Sequence, residues 1–305
     1  MSQTAFALDR QGNITATPAV TTVVFTAHNR RDMVLDAIRL ALGQTVPVHV
    51  IVADDASSDG TREAVLKAYP GVSYVRSEVS RGPCYARNKG TAMALTDIIF
   101  PLDDDSMLVS PRTLEQALQA FDDPRLAIVA IPFRNVLQGD YLFHDPAKAP
   151  RNGQFFDFIA CAHGIRRCAS DAVGGWYEPY FYMCEETDIA VRLFEQGWRS
   201  AIVNADPIHH MQPPARRAYR PDFYGRRNDV LFTWVRLPWR ILPLAMMRCL
   251  ARGIKSGIIN NYYRATFDGY FDALRAIISG KVRRDPISHE TAKALFAERR
   301  ELSEK

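Results

Sequence analysis

Asp97-Ile98-Ile99-Phe100-Pro101-Leu102-Asp103-Asp104-Asp105-Ser106 is the stretch on which the reading of this chain turns: an apolar run that ends in three consecutive carboxylates. A short apolar run bounded by polar residues reads as a buried strand, which here delivers acid to the rim of its sheet. Adjacent carboxylates repel one another, so such a cluster suits a divalent cation, and Asp-x-Asp at a strand end suits a cation that also holds phosphate. An acidic turn in solvent is the competing reading, and the flanking segments decide between the two.

Upstream, Thr21 to Thr26 is a β-branched run that reads as a strand. From Arg31 to Leu42 the residues Met33, Val34, Ala37, Ile38, Ala41 and Leu42 share one face of a helix that Gly43 stops. A strand (48–53), a helix (61–69), a strand (72–75), a helix (83–95) and the strand 98–102 follow. This alternation predicts an α/β protein with a Rossmann-like, mostly parallel central sheet flanked by helices.

In such sheets ligands sit beyond the carboxyl ends of the strands. Those ends here are Thr26-Ala27-His28-Asn29-Arg30, then Asp54-Asp55 running on to Thr61, then Asp103-Asp104-Asp105. Asp59-Gly60-Thr61 is accounted for as a turn and helix cap, but Asp54 and Asp55 are not. No Gly-x-Gly-x-x-Gly follows the first strand and no P-loop is present, so phosphate must be held by metal and by cationic side chains. Arg81 and Arg87 flank Pro83 at a predicted helix start, where an anion is favoured; Lys89 reads as surface.

Downstream, 126–131 reads as a strand and 136–153 as loop. Gly174-Gly175-Trp176 then leads through aromatic residues to a helix start carrying Glu178, Glu185, Glu186 and Asp188. Helix-dipole capping explains one or two of these acids. Four in an aromatic, desolvating setting are more than capping requires, and one with a raised pKa would serve as a general base. A further strand, 199–203, leads to His209-His210, and imidazole is a usual partner for Mn²⁺ where carboxylates supply the other ligands.

In this order the residues resemble the family 2 glycosyltransferases of the GT-A fold, especially the bacterial rhamnosyltransferase-like branch, from about Thr21 to Pro243. The motifs that carry the resemblance are Thr26 to Arg30, Asp54-Asp55-x-Ser57-Ser58-Asp59-Gly60-Thr61, Gly82-x-x-x-Ala86-Arg87-Asn88 and Leu102 to Asp105. Gly174-Gly175-Trp176, Glu185-Glu186-Thr187-Asp188-x-x-x-Arg192, and His210 with Arg217 and Arg227-Asn228 complete them.

The resemblance implies an inverting transfer of a sugar from a nucleotide-diphosphate-sugar to an acceptor hydroxyl. It implies that Asp54 or Asp55 binds the base beside Ala27, and that Asp103 and Asp105 hold Mg²⁺ or Mn²⁺ with His210 as a further ligand. Thr26, Asn29, Arg30, Arg81, Arg87 and Asp104 complete the donor site, Asp104 being expected to point away from the metal pair. Glu186 stands where the family places its base, as a Glu where Asp is common, which leaves Asp188 as a rival. The implied plan is a lead-in (1–20), a nucleotide-sugar-binding half (21–125), an acceptor and catalytic half (126–215) and a basic helical C-terminal extension (216–305).

The 305 residues are 47% hydrophobic and 24% charged, as a folded protein requires. The net charge of +4 hides an asymmetry: residues 211–305 hold 19 Lys and Arg against 9 Asp and Glu, an excess of ten positive charges. Arg248, Arg252 and Lys255 recur on one face of a predicted helix opposite apolar residues, behind Arg216, Arg217, Arg220, Arg226 and Arg227 and the Trp234 to Arg240 segment. That pattern fits either an anionic membrane surface or a helix packed on the domain, with no nucleic-acid motif accompanying it.

The five scattered cysteines argue against disulfides and zinc, and the first twenty residues lack a signal-type apolar core. The stretch 241–259 is interrupted by three basic residues and reads as non-spanning. The expected setting is cytoplasmic, peripheral on the inner face of the membrane, with a saccharide or lipid-linked acceptor. A sugar-phosphate nucleotidyltransferase would want a glycine-rich loop after the first strand, which Thr26 to Arg30 is not. A non-catalytic nucleotide-binding domain would not need the Glu185 to Asp188 acids.

Overall fold

The computed structural model describes residues 4–8, 14–150, 153–213 and 219–304; Arg216 and Arg217 of the basic tail lie outside the described residues. The chain opens with β1 (Thr4–Leu8) and β2 (Ile14–Pro18), paired antiparallel, where a loose lead-in was expected. Strands of five residues hold only against a partner, so their short apolar pattern is ambiguous when read alone.

The predicted alternation follows as β3 (Thr21–Ala27), α1 (Arg31–Leu42), β4 (Val48–Asp54), α2 (Thr61–Ala68), β5 (Ser73–Arg76), α3 (Pro83–Thr91) and β6 (Ile98–Asp103). Next come β7 (Ser106–Met107), α4 (Thr113–Gln119), β8 (Leu126–Ala130), β9 (Phe133–Asn135) and β10 (Leu142–Phe143). After β11 (His163–Arg166) and α5 (Arg167–Ala172) the chain forms α6 (Glu185–Glu195), β12 (Arg199–Ile202) and β13 (Ile208–His210). Four helices close the chain: α7 (Tyr219–Arg236), α8 (Leu242–Ile259), α9 (Tyr263–Ile278) and α10 (His289–Ser303).

The seven-stranded sheet has the order β12-β8-β11-β6-β3-β4-β5, parallel except at β11, which runs antiparallel to both neighbours. Its central strands are buried on both faces: Val24 and Ile99 join one apolar core, and Val23, Phe25, Phe100 and Leu102 the other. That double burial is why the strands read as near-continuous apolar runs.

A second sheet, β10-β9-β13-β7, stands at the carboxyl end of β6. It pairs His210 with Ser106 and His209 with Met107. Sequence periodicity did not indicate it, because strands of two or three residues show no period. No helix among the described residues is long and apolar enough to cross a membrane.

Candidate active site

The carboxyl ends of β3, β4 and β6 meet at one rim, as parallel pairing of these strands requires. Asp103 lies at the end of β6, and its Oδ1 accepts from the Thr26 hydroxyl at 3.2 Å and from Arg87 at 2.6 Å. Asp105 lies between β6 and β7, its Oδ1 3.3 Å from Nε2 of His210 and its Oδ2 2.5 Å from the Arg30 guanidinium. Backbone pairing of β7 with β13, extended by Met211 N donating to the Asp105 carbonyl, sets this juxtaposition. Nδ1 of His210 is 2.7 Å from Oδ1 of Asn135, a partner on β9 that no sequence motif announced.

Asp103, Asp105 and His210 each offer one ligand atom, all within 4.8 Å of one another. Two carboxylates and an imidazole held by a neighbouring amide are a donor set suited to Mn²⁺ or Mg²⁺. Burial pushes the imidazole of His210 down, but the Asp105 carboxylate outweighs it and the net shift is upward. For Asp105 burial pulls upward, and His210 with Arg30 brings the carboxyl below the usual range. Asp104 turns aside: its oxygens accept from His28 N at 3.2 Å and from Arg30 at 3.0 Å, and burial raises it to about 7 despite that cation.

Several residues expected to meet the donor carry internal partners. Asp54 accepts from Ser57 N at 2.8 Å and Tyr74 Oη at 2.9 Å and pairs with Arg76 at 3.2 Å. Asp55 accepts from the Ser80 hydroxyl (2.6 Å), Arg81 N (2.7 Å) and Gly82 N (2.8 Å), tying β4 to the start of α3, and its own N–H donates to the Ala27 carbonyl at 2.9 Å. Asn29 clasps the next loop, receiving Ser58 N at 2.7 Å while its own N–H donates to Ser57 Oγ at 2.9 Å.

Arg87 departs from the expected phosphate-facing pose. Only 2% of its side chain is exposed, and it bridges Asp103 and Glu185, the latter at 2.9 Å. Arg81 stays half-exposed, 3.2 Å from Glu178 and stacked over the Tyr85 ring.

The acidic start of α6 is the other half of the site. It follows a turn in which Phe181, Met183 and Cys184 all have positive φ, between 66° and 73°. Non-glycine residues in that region cost about 1–3 kcal/mol each and persist only where the surroundings over-determine them. Asn228 of α7 supplies that restraint: its buried side-chain amide donates to the carbonyls of Tyr180 (2.9 Å), Tyr182 (2.7 Å) and Met183 (2.8 Å).

From the donor side, Gly82 (φ 85°) lies so close to the turn that a Cβ there would come 2.4 Å from the Phe181 carbonyl oxygen. Asn88 likewise receives Trp176 N at 2.8 Å, and a Cβ on Gly175 would stand 2.5 Å from its Oδ1. The Gly-x-x-x-Ala-Arg-Asn and Gly-Gly-Trp motifs are thus two sides of one contact.

The three acids of α6 differ in their surroundings. Glu185 is buried, one oxygen on Arg87 and the other without a partner, and burial raises its pKa. Glu186 keeps part of its surface open and accepts from Ala160 N at 3.3 Å; burial first, then the Glu185 carboxylate, push it up to about 8. Asp188 has no exposed surface and accepts from Tyr180 Oη (3.0 Å), Arg192 Nε (2.7 Å) and Arg236 Nε (2.6 Å). Burial would raise it, but the two guanidinium groups hold it below the usual carboxylate range. The Tyr182 phenol, raised by burial and then by Asp103, Glu185 and Glu186, marks the place where the two halves of the site meet.

A family model described as glycosyl transferase family 2 matches residues 22–174. A pre-mycofactocin glycosyltransferase of Mycobacterium tuberculosis is 34% identical over 233 residues, 69% of this chain and 48% of the relative. The chain therefore spans about half the length of that protein. An N-acetylglucosaminyl-diphospho-decaprenol L-rhamnosyltransferase of the same species is 27% identical over 212 residues, 56% of this chain and 69% of the relative. Among solved structures, mannosyltransferase PcManGT from Pyrobaculum calidifontis, in complex with GDP-Man and Mn²⁺, superposes with a TM-score of 0.57 at 18% identity, covering 91% of this chain and 79% of that one. The shared architecture is the GT-A fold expected from the sequence.

Proposed function

The chain belongs to glycosyltransferase family 2, and on that premise we propose that it transfers a hexosyl or deoxyhexosyl unit, with inversion, from a nucleotide-diphosphate-sugar to an acceptor hydroxyl in polysaccharide or glycolipid synthesis. The observation that carries this reading is the convergence of Asp103, Asp105 and His210 on one point at the strand-end rim. These three residues would hold Mn²⁺ or Mg²⁺, which when bound supplies positive charge to the departing diphosphate. Asn135 orients the imidazole, and Arg87 keeps Asp103 and Glu185 at a fixed separation.

Glu186 is the base in this reading. A carboxylate with a raised pKa and an open side takes the acceptor's proton as its oxygen attacks the anomeric carbon. Asp188, locked between two arginines without exposed surface, has no route to a substrate proton and acts as a structural anchor. Asp54 and Asp55 would serve the nucleotide by shaping the β4 and α3 loops that receive it. Inversion needs no enzyme nucleophile, since one displacement from the opposite face completes the transfer.

The test is a screen of nucleotide-diphosphate-sugars for thermal stabilisation, with and without Mn²⁺. Stabilisation by at least one donor that disappears on chelation supports the reading. No response to any donor in the presence of Mn²⁺ would sink it. Slow Mn²⁺-dependent hydrolysis of the bound donor would separate an enzyme from a nucleotide-binding domain without turnover.

A further inference from the structure

The helices α8 and α9 carry large apolar side chains on their exposed sides as well as on their buried ones. A helix on a soluble domain ordinarily turns its large apolar side chains inward. Leu250 and Met246 of α8 and Tyr270 and Ile277 of α9 pack against the core, but several buried positions are small: Gly253 and Gly257 on α8, and Ala265, Gly269, Ala273 and Ala276 on α9. They let the helices close on one another and on α7, where a Cβ on Gly269 would stand 2.6 Å from the Phe223 carbonyl oxygen. A second set of large residues points outward: Met247, Ile254 and Ile258 on α8, and Phe267, Phe271 and Ile278 on α9, are 36% to 76% exposed.

Both outward stripes are regular. At about 100° per residue, 247, 254 and 258 share one side of α8, and 267, 271 and 278 one side of α9. Arg248 and Lys255 lie within about a quarter turn of the first stripe, with Arg252 beyond them on the same side, and Arg264 and Arg275 lie within about a quarter turn of the second. The basic residues of α8 thus oppose its buried side, as the sequence suggested, and border an exposed apolar stripe that the sequence did not single out. α8 carries no acidic residue, and the two acids of α9 are already engaged, Asp272 with Arg227 at 2.6 Å and Asp268 with Tyr219 at 2.6 Å. Trp239, 64% exposed just before α8, adds an amphipathic ring of the kind that settles at headgroup level.

We propose that the α8–α9 face docks on an anionic lipid bilayer, its aromatic and branched side chains entering the acyl boundary and its arginines and Lys255 lying among the phosphates. The charge pattern favours lipid over a second copy, since a two-fold contact through this face would set the wholly basic α8 beside like charge. Docking deepens the proposed function, because the same face is joined to the catalytic turn. α7 packs along α9, Arg227 links Asp272 to the Pro179 carbonyl, and Asn228 grips the turn before Glu186. A lipid-linked acceptor held at the bilayer is the substrate class this arrangement suits.

The experiment is co-sedimentation of the full chain with vesicles of phosphatidylcholine alone or with about one third phosphatidylglycerol, alongside light scattering without vesicles. The expected result is partition at least about tenfold stronger with the anionic lipid. Phe271→Asp and Ile258→Asp should each lower it about tenfold. Arg248→Ser with Arg252→Ser should remove the preference for phosphatidylglycerol.

All these side chains are exposed, and Mn²⁺-dependent stabilisation by nucleotide, read separately, reports that each variant is folded. It also keeps failure of docking distinct from failure of the transferase reading. Equal binding to both vesicles, binding to neither, or variants that partition like the parent would overturn the proposal. So would a dimer that the Phe271→Asp change dissociates in a protein that ignores vesicles.

Discussion

Asp188→Asn should weaken the fold and spare the chemistry that remains, while Glu186→Gln should do the reverse. Asp188 accepts hydrogen bonds from Tyr180, Arg192 and Arg236 with no exposed surface. Removing one partner of a buried ion pair leaves the other charge uncompensated and costs about 3–5 kcal/mol. At an unfolding entropy of about 2.1 cal/mol/K per residue, a chain this long loses about 1.5 °C of Tm per kcal/mol, so the variant should melt about 5–8 °C early. Glu186→Gln removes a desolvated carboxylate that has one backbone partner, so its Tm should equal or exceed the parent's while turnover falls about 10²–10⁴-fold, the usual worth of a general base.

The pH dependences have opposite signs. Asp188 has a depressed folded pKa, so its contribution to stability is fully present above the ordinary carboxylate range and is lost as pH falls through the folded value. The Asp188→Asn deficit should therefore shrink in acid. Glu186 has a raised folded pKa, so the native state holds its proton more tightly and loses stability as pH climbs from about 4.3, the ordinary value, to about 8. Glu186→Gln should gain relative stability over that interval. Melting curves from pH 4 to 9 and a transfer or donor-hydrolysis assay check both arms. A parent-like Tm with abolished turnover in Asp188→Asn, or near-normal turnover in Glu186→Gln, would refute the division of roles.

Three further outcomes are expected. Asp105→Asn and His210→Ala should each abolish Mn²⁺-dependent stabilisation by nucleotide, while Asp104→Asn retains it; thermal shift with and without chelator reads this, and the opposite pattern would reverse the ligand assignment. Arg87→Met should strand the buried Glu185 carboxylate, lowering stability by about 3–5 kcal/mol in denaturant unfolding, and weaken metal-dependent donor binding through the loss of its bond to Asp103. Asn228→Asp would turn a carboxylate on three carbonyl oxygens at the strained turn, costing at least about 1–3 kcal/mol, and should lower kcat more than donor affinity because the turn carries Glu186.

Much of the scaffold was legible in the chain. Short apolar runs alternating with 3.6-period segments follow from which residues of an element share its buried side, and those periods are local. They placed β3, β4 and β6 and put Asp103 to Asp105 at a strand end. The reversed β11 and the small sheet of β7, β9, β10 and β13 were not legible, because their strands run two to four residues and take their direction only from distant partners. That small sheet is what sets His210 beside Asp105.

What the sequence by itself determined was the order of elements and the kinds of side chain delivered to the rim. The tertiary structure decided what each one does there. Glu186 and Asp188 are two residues apart on one helix start, and one is left desolvated with an open side while the other is neutralised by Arg236, 48 residues downstream. The same holds for α8, whose basic stripe announces an amphipathic helix but not which of its apolar residues face in. Ionisation and exposure depend on the neighbours that folding brings in from elsewhere in the chain, and no local period carries that information.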